Sequence, residues 1–443
     1  MSTRNFLKGL MLHRVRYKDL AASVRSLTDS RKHSRDFSAE KLIAIQQEKL
    51  QVLLELSLTG TDFYPHHYQV HLNKIKRFSP TEDNPRLLLS VLPTLKKESI
   101  RSEPALLINK NTTTRQISKT GGTTGQPLAV NKCDATVTWG YALRKALLED
   151  FGIDDSGPQI MLKGFSKPTL KAQIRTRLFQ EYFFPAFPSS NSWFEKFEKL
   201  LLQKDIEFIE SYPTALMAYA KHLEKRPKSI KAVFTTGELL HPHQRSLLES
   251  KFGCRVISYY GSNEINGLAF ECREGRMHVA EEHVIMETVD ESGRQVWDKP
   301  GRIIITNLDN HAMPLIRYEI GDSGILTRET CPCGRAHIHL KKIIGRTQDS
   351  LINPSGDKLP VTFFEGRFRS LTTIGRIQLV QKSASEIEVH YDGLQESAKT
   401  EADLLAVEIR KHLGNGVSTT SRHNLNLKQT SRGKTPLIYR VPS

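Results

Sequence analysis

The spacing of apolar residues along the chain predicts helices and strands in alternation. Residues 134–152 place their apolar side chains on one helical face, and residues 243–253 form a second such helix that ends at a glycine. Residues 231–238 and 254–264 predict short strands that run into polar loops. This alternation indicates an α/β protein with mostly parallel sheets flanked by helices. Because such sheets bind ligands beyond the carboxyl ends of their strands, both polar loops are candidate walls of a site.

Residues 1–110 are predicted to be mainly helical. A separate helix is predicted at residues 192–205. Residues 38–56 have leucines and isoleucines near one face, and Ser38 is a suitable N-cap. Residues 192–205 show the same kind of amphipathic pattern. We therefore expect a helical lead-in over residues 1–110 before the alternating region begins.

The last hundred residues have a different pattern. Residues 375–393 alternate as a β-hairpin does, and residues 401–414 form an amphipathic helix ended by a glycine. Polar and turn-forming residues cluster in residues 343–356. The sequence thus predicts a large N-terminal domain, residues 1–345, and a small α+β C-terminal domain, residues 346–443.

Composition places the chain among ordinary globular proteins. It is 38% apolar and 25% charged. No apolar run is long enough to span a bilayer, and cations interrupt the first twenty residues, where a signal peptide needs an apolar core. The five cysteines are few and odd in number, which argues against a disulfide framework. We expect a cytoplasmic protein without a transmembrane segment.

The formal net charge of +16 is concentrated at the two ends of the chain. Residues 1–35 hold nine Lys/Arg against two acids, and residues 409–443 hold seven against none. The residues between them are close to neutral. Two solvated basic ends explain this pattern, and contact of the C-terminal segment with a polyanionic ligand is the alternative. A nucleic-acid partner is not expected.

The segment "SKTGGTTGQP", residues 118–127, is built to donate hydrogen bonds to an anion. Threonine hydroxyls and glycine amides supply donors, and glycine lets the backbone approach an oxyanion closely. The GxxxxGK[ST] pattern of nucleoside triphosphatases is not satisfied anywhere in the chain. Taken alone, the segment fits a phosphate loop and a flexible surface loop equally well.

Three further residues suit a nucleotide. Glu264 follows an apolar strand in a polar turn, where its carboxylate could reach a Mg²⁺ ion that bridges phosphates. Asp322 lies between glycines and could accept hydrogen bonds from both hydroxyls of a ribose. Lys434 lies in an acid-free segment, where it stays protonated and available to a developing phosphate charge. Each of these residues has an ordinary structural explanation when it is taken singly.

The order of these motifs carries a resemblance to a known family. A Gly/Thr loop is followed by GE at 237–238, YGSNE at 260–264, GD at 321–322, GR at 345–346 and a terminal GK. In this order the chain resembles the adenylate-forming enzymes, in the branch of the phenylacetate-coenzyme A ligases and the related capsular-polysaccharide proteins. "SYPTAL" and "CPCGR" favour that branch. The resemblance begins near residue 115 and reaches the C-terminus.

The resemblance implies a role for each motif. The loop would grip phosphates, the GE pair would lie beside the adenine, and the YGSNE turn would stack on the base and supply the Mg²⁺ carboxylate. Asp322 would bind the ribose, Arg346 would begin a mobile C-terminal lid domain, and Lys434 would be the catalytic lysine of adenylation. The implied ATP- and AMP-binding residues are Thr120, Gly121, Gly122, Thr123, Thr124, Gly125, Gly237, Glu238, Tyr260, Gly261, Ser262, Asn263, Glu264, Asp322 and Arg346.

Two positions depart from the family pattern. Gln126 stands where many relatives have lysine, which bears on triphosphate affinity. Gln348 stands where the GRxDD form has its first aspartate, the usual pivot of domain rotation.

A group of cysteine and histidine residues is a candidate zinc site. Cys272 with His278, and Cys331 with Cys333, would supply four ligands from two short segments, as a closed structural zinc requires. Buried free cysteines are the alternative. Some members of the resembled branch carry a metal at such cysteines, and Cys254 or another histidine, His337, could replace one ligand.

The implied reaction is ATP-dependent activation of a small carboxylic acid to an acyl-adenylate with release of pyrophosphate. The acyl group would then pass to coenzyme A, or to an amine in capsular or surface polysaccharide biosynthesis. ATP and Mg²⁺ are the implied cofactors. A non-catalytic basic protein that binds polyanions is the alternative from another class, and Glu264, Asp322 and Lys434 favour the enzyme.

Overall fold

The fold is taken from a computed structural model. It describes residues 18–441 apart from 80, 82, 120–127, 164–169, 187–189, 347–349, 357, 361–363, 365–370, 372, 394–395, 415 and 430–434. At residues 18, 163, 170–174, 346, 350, 358 and 360 it describes the backbone alone.

The described residues form thirteen α-helices. They are α1 (Ala21–His33), α2 (Ala39–Gly60), α3 (Phe63–His67), α4 (Leu72–Lys76), α5 (Pro85–Val91), α6 (Lys97–Ser102), α7 (Pro104–Leu107), α8 (Asp134–Asp150), α9 (Leu170–Phe179), α10 (Ser192–Gln203), α11 (Pro213–Lys221), α12 (Pro242–Phe252) and α13 (Glu396–Leu413).

The same residues form nineteen strands. They are β1 (Gln116–Lys119), β2 (Ala129–Lys132), β3 (Gln159–Lys163), β4 (Glu181–Pro185), β5 (Phe208–Ser211), β6 (Ala232–Thr235), β7 (Arg255–Tyr260), β8 (Ala269–Glu271), β9 (Met277–Val279), β10 (Val284–Val289), β11 (Gly301–Asn307), β12 (Tyr318–Thr327), β13 (His339–Arg346), β14 (Ser350–Ile352), β15 (Lys358–Pro360), β16 (Ile377–Ser383), β17 (Glu386–Tyr391), β18 (Ser418–His423) and β19 (Ile438–Arg440).

The helix ends follow the local signals of the sequence. The Ser38 side chain accepts a hydrogen bond from the Lys41 amide at 3.3 Å and so caps α2. Gly253 ends α12 with φ of 74°, a left-handed conformation that glycine adopts without steric cost. Within the described residues, no helix combines the length and the apolar character that crossing a membrane requires.

The chain divides into two compact units. The first contains the residues up to Gly157 together with Ser258–Ile344, and the second contains Pro158–Ile257 together with Gly345–Ser443. The α/β class is confirmed. The division into domains 1–345 and 346–443 stays a prediction.

The first unit contains an antiparallel sheet and the helical lead-in. Its strands follow the order β10-β11-β12-β13-β9-β8-β7, and β1 and β2 form a separate hairpin. The pairs β10–β11, β11–β12, β7–β8 and β8–β9 are antiparallel. Leucines of α2 and α5 pack on the sheet in one continuous core.

The second unit contains the parallel strands that the helix–strand alternation predicts. Four strands lie in the order β6-β5-β3-β4, and the β3–β4, β3–β5 and β5–β6 pairs are parallel. α11 and α12 pack with these strands in a core of their own.

The C-terminal residues form a small sheet with one long helix. Its order is β18-β17-β16-β19, in which β16 and β17 are the predicted hairpin. Alanine, leucine and isoleucine side chains of α13 pack on this sheet. Gln378 of β16 is fully buried, and its amide nitrogen donates to the carbonyls of Lys428 and Pro436, at 3.0 Å each. This side chain therefore binds one residue on each side of Lys434 in the sequence.

Candidate functional site

The turn after β7 brings two of the predicted nucleotide-binding residues together. The Tyr260 hydroxyl donates to Asp322 Oδ2 at 2.6 Å, although 62 residues separate them in sequence. Backbone bonds close this turn, from the Leu268 amide to the Tyr260 carbonyl and from the Ser262 amide to the Ile265 carbonyl, both at 2.9 Å. A side chain at Gly261 would meet the Gly267 amide at 3.0 Å, so the tight turn requires glycine there.

Glu264 lies in the same turn, and its carboxylate is almost fully buried. The Tyr318 hydroxyl donates to Glu264 Oε1 at 3.0 Å, and the Lys97 ammonium is 3.8 Å from the same oxygen. Burial keeps the pKa of Tyr318 above its usual value, so this hydroxyl stays a donor. Among the described residues, both contacts are made to Oε1, which leaves Oε2 for a further ligand. A single carboxylate of this kind fits Mg²⁺, which binds proteins through one or two carboxylates and otherwise keeps water and phosphate oxygens.

Lys97 is a site residue that sequence reasoning missed. It begins α6 in the lead-in, and a Cβ at Gly321 would lie 3.4 Å from its ammonium. The lysine therefore lies between Glu264 and the glycine that precedes Asp322. In the sequence it is one lysine among many, so no local signal could have identified it.

Lys132 is a second missed lysine. It ends β2 with only 1% of its surface exposed, and its ammonium donates to Asn266 Oδ1 at 3.2 Å. Burial lowers the pKa of Lys132 to about 8, while the nearby charge of Glu264 acts in the opposite direction. Alternation along β2 places Lys132 on the buried face of the strand. This alternation is the one sequence signal that could have identified it.

Gly237 and Glu238 lie in the second unit, after β6. Gly237 has φ of 78°, and Glu238 Oε2 accepts hydrogen bonds from the Thr214 amide at 3.2 Å and its hydroxyl at 2.7 Å. Thr214 belongs to the "SYPTAL" motif at the start of α11, so two motifs of the resemblance meet here.

Other predicted positions lie outside the described residues. These are the loop residues 120–125, Gln126, Gln348 and Lys434. Arg346 is the last residue of β13, and only its backbone is described.

The four predicted zinc ligands form one cluster in the first unit. The ligand atoms of Cys272, His278, Cys331 and Cys333 all lie within 4.8 Å of one another. The sulfurs of Cys272 and Cys331 are 3.8 Å apart, and Cys333 Sγ is 3.3 Å from His278 Nε2. Two sulfurs bound tetrahedrally to one zinc ion would be about 3.8 Å apart, so the cluster fits zinc.

The strands explain why these ligands meet. Cys272 follows β8 and His278 lies in β9, and these two strands pair with each other. β13 pairs with β9 on its other side, which brings the preceding loop with Cys331 and Cys333 over the same place. Cys254 lies instead in the second unit, where it packs against that unit's core.

Hydrogen bonds around His278 orient it as a ligand. Its Nδ1 is 3.2 Å from the His337 carbonyl, which can only accept, so Nδ1 carries the proton and the Nε2 lone pair faces the sulfurs. Burial lowers the pKa of His278 to about 3 and raises the pKa of the Cys331 thiol to about 12. The imidazole is thus neutral, and the Cys331 thiol needs a nearby cation to become a thiolate.

The His337 side chain contacts a carboxylate, whereas the sequence made it a possible replacement zinc ligand. Its Nε2 is 3.2 Å from Glu282 Oε1, which also accepts from Arg31 at 2.7 Å. The buried ion pair of Arg31 and Glu282 thus joins α1 of the lead-in to His337, whose carbonyl accepts the hydrogen bond from His278. His337 therefore supports the cluster through its backbone and is outside the ligand group.

Comparisons with known proteins agree with this fold. No family model matches the chain. It is 28% identical over 331 residues to a phenylacetate-coenzyme A ligase of Thermus thermophilus, over 71% of this chain and 72% of that protein. It is 24% identical over 276 residues to protein CapK of Staphylococcus aureus, over 59% of this chain and 60% of CapK.

The structure is similar to that of a 2-hydroxyisobutyryl-CoA ligase, solved in the postadenylation state in complex with R3-HIB-AMP. The TM-score is 0.70 at 16% identity, over 93% of this chain and 92% of that chain. At that identity the likeness shows the fold alone. In sequence the chain is similar to the phenylacetate-coenzyme A ligases and to protein CapK, and in fold it is similar to an AMP-forming CoA ligase.

Proposed function

We propose that this protein is an AMP-forming ligase that activates a small carboxylic acid with ATP and transfers the acyl group to coenzyme A. The observation that carries the proposal is the meeting of Tyr260, Glu264 and Asp322 in the first unit. Glu264 would serve a metal-bound nucleotide and Asp322 a ribose, as the motif order predicts. A non-catalytic protein that binds polyanions through a basic surface would not need this arrangement.

In the first step, a carboxylate oxygen of the acid attacks the α-phosphate of ATP, and pyrophosphate leaves. Mg²⁺ would supply charge neutralisation at the phosphates, with Glu264 as its protein ligand. Asp322 would accept hydrogen bonds from the ribose hydroxyls, while the Tyr260 hydroxyl holds its Oδ2 in place. Residues 120–125 would donate to the phosphates, and Arg346 and Lys434 would come from the C-terminal domain.

In the second step, the thiol of coenzyme A attacks the acyl carbon, the thioester forms and AMP leaves. An amine acceptor, which would give an amide, is the second candidate. The resemblance of the motifs to the capsular-polysaccharide proteins favours it, and the chain is also similar to protein CapK.

We further propose a structural zinc at Cys272, His278, Cys331 and Cys333, and a C-terminal lid domain over residues 346–443. The proposed compartment is the cytoplasm, which supplies both ATP and coenzyme A. The five cysteines are few and odd in number, as in proteins of a reducing compartment.

The test of the function is a screen for pyrophosphate release with aryl, fatty and sugar acids, each with and without coenzyme A or an amine donor. A ligase releases pyrophosphate only with its acid, and mass spectrometry of the product then identifies the acceptor. The release should persist at high salt, whereas polyanion binding weakens steeply with ionic strength. The proposal would be contradicted if none of the acids gave pyrophosphate release and the protein instead bound heparin or nucleic acid in a salt-sensitive way.

Glu264→Gln is expected to lower kcat/KM for pyrophosphate release by at least about tenfold at low Mg²⁺, because it removes the carboxylate charge that holds the metal. Raising Mg²⁺ should recover part of this loss. The shape of the side chain is kept, and its oxygen can still accept from Tyr318. Glu274→Gln, at an exposed glutamate of the same unit, is the matched control. Equal Mg²⁺ dependence in both variants would remove Glu264 from the metal site.

A further inference from the structure

Helix α1 packs on α8 through a small apolar core that is separate from the main core of the first unit. This core consists of Leu20, Ala21, Val24 and Val137 of α8, with Tyr141 packed against them. Within the described residues, the buried apolar side chains of α1 end at Val24. Contacts of another kind must therefore hold the last turn of the helix.

Ion pairs hold the last turn of α1. Arg31 donates to Glu282 Oε1 at 2.7 Å, and both side chains are almost fully buried. Arg35, just after the helix, pairs with Asp150 at the end of α8. A buried ion pair stabilises a fold only where further hydrogen bonds satisfy its remaining polar atoms. The other partners of these two acids therefore contribute to how firmly α1 is held.

Both acids have a second partner in one loop, residues 328–338, which we call the zinc loop because it carries two of the proposed zinc ligands. His337 Nε2 of this loop is 3.2 Å from Glu282 Oε1. Arg335 Nη2 donates to Asp150 Oδ2 at 2.7 Å. Each acid is thus shared between α1 and the zinc loop.

The strand and turn that carry the other two zinc ligands contact the same groups. Arg31 and Arg335 both pack on the ring of Phe270 in β8, with their guanidinium carbons 4.3 and 5.0 Å from the ring centroid. Such contacts are attractive, and more so when they are shielded from water. Arg273, in the turn after β8, donates to the Asp150 carbonyl at 2.9 Å.

The zinc loop has little structure of its own. Residues 328–338 contain neither helix nor strand, and the Gly334 amide donates to the Cys331 carbonyl at 3.0 Å in the turn between the two ligands. A zinc ion would join this loop to the β8–β9 segment, and such a cross-link removes much of the conformational freedom of a loop. Without the metal, the side chains that bind the two acids are less firmly placed.

We propose that zinc at the cysteine cluster holds α1 on the first unit, because the metal fixes the zinc loop and the loop completes the ion pairs of the last turn of α1. The proposal rests on the zinc site of the proposed function and is independent of the ligase reaction. Coupling between two sites is reciprocal, so docking of α1 raises zinc affinity by the factor by which zinc favours docking.

The first test is hydrogen exchange, measured by mass spectrometry on the full chain with zinc and after its removal by EDTA. Loss of zinc should speed amide exchange in α1 by about tenfold or more, because amides exchange through local opening. Helix α12 of the second unit is the control, and its exchange should change by less than about twofold. Unchanged exchange in α1 after zinc is lost, or an equal rise in α1 and α12, would overturn the inference.

The second test runs in the reverse direction and keeps all four zinc ligands. Arg31→Met should weaken zinc binding by about tenfold in a chelator competition, because the ion pair to Glu282 is lost. Lys32→Met is the matched control, since Lys32 pairs with Glu149 of α8 at 2.5 Å and this pair does not involve the zinc loop. The control should bind zinc as the wild type does, because a partly exposed ion pair contributes little. Equal zinc affinity in the two variants would contradict the proposal.

The exchange test uses the unsubstituted chain, so it decides the matter even if Arg31→Met does not fold. Zinc that is present but does not affect exchange in α1 overturns the inference alone, and the zinc site stands. Wild-type protein without zinc overturns both, and pyrophosphate release then still tests the ligase reaction.

Discussion

Lys434→Ala is expected to lower the rate of acid-dependent pyrophosphate release by about two orders of magnitude while the protein stays folded. Removal of one well-placed donor to a developing charge costs about 3 kcal/mol of transition-state stabilisation. Lys434 is the donor that the motif order assigns to the α-phosphate as pyrophosphate leaves. The measurement is the steady-state rate of pyrophosphate release with a saturating acid substrate.

The structure describes residues on both sides of Lys434 in the sequence. The Gln378 amide nitrogen donates to the carbonyls of Lys428 and Pro436. β19, which follows, pairs in parallel with β16. Residues 409–443 contain no Asp or Glu, so no acid lies close to Lys434 in the sequence.

Lys428→Ala is the control for this prediction. Its side chain is exposed, and its backbone bonds to Gln378 survive the substitution. It should release pyrophosphate as the wild type does. A Lys434→Ala variant with a near-normal rate would remove this lysine from the chemistry.

Cys331→Ser is expected to lose stoichiometric zinc and to lower the thermal unfolding midpoint by on the order of 10 °C. A metal that binds the folded chain and not the unfolded chain stabilises it by its binding free energy. Loss of one ligand opens a closed four-ligand site, which weakens zinc binding. Chelation of the wild-type metal should lower the midpoint in the same direction.

The measurement combines elemental analysis with thermal unfolding, on protein purified without a metal-affinity tag. Cys254→Ser is the control, because this partly buried cysteine lies outside the cluster. It should keep one zinc ion per chain. Wild-type protein without metal, together with equal midpoints for the two variants, would contradict the zinc assignment.

Much of the fold could be predicted because local signals determine it. Ser38 caps its helix, Gly253 ends another in a left-handed conformation, and Ile387, Val389 and Tyr391 alternate along β17. The antiparallel sheet of the first unit could not be predicted in this way. β8 and β9 have three residues each, which is too short for a periodic pattern to identify the strand or its direction.

The residues of the candidate site also differ in whether a local sequence signal identifies them. Tyr260, Glu264 and Asp322 lie in motifs whose order in the chain is distinctive, so sequence could nominate them. Lys97 and Lys132 are single lysines whose relation to Glu264 depends on contacts across more than 130 residues. Such contacts are fixed by tertiary packing, and a lone lysine in a sequence is most often a solvated one.

The most direct test of the central claim, that this chain forms an acyl-adenylate, is acid-dependent exchange of labelled pyrophosphate into ATP. The assay needs neither coenzyme A nor an amine, so it is independent of the acceptor. We predict that label enters ATP only when the cognate acid and Mg²⁺ are present, and that Lys434→Ala loses the exchange. The absence of exchange across aryl, fatty and sugar acids, in protein that is folded and binds ATP, would contradict the account.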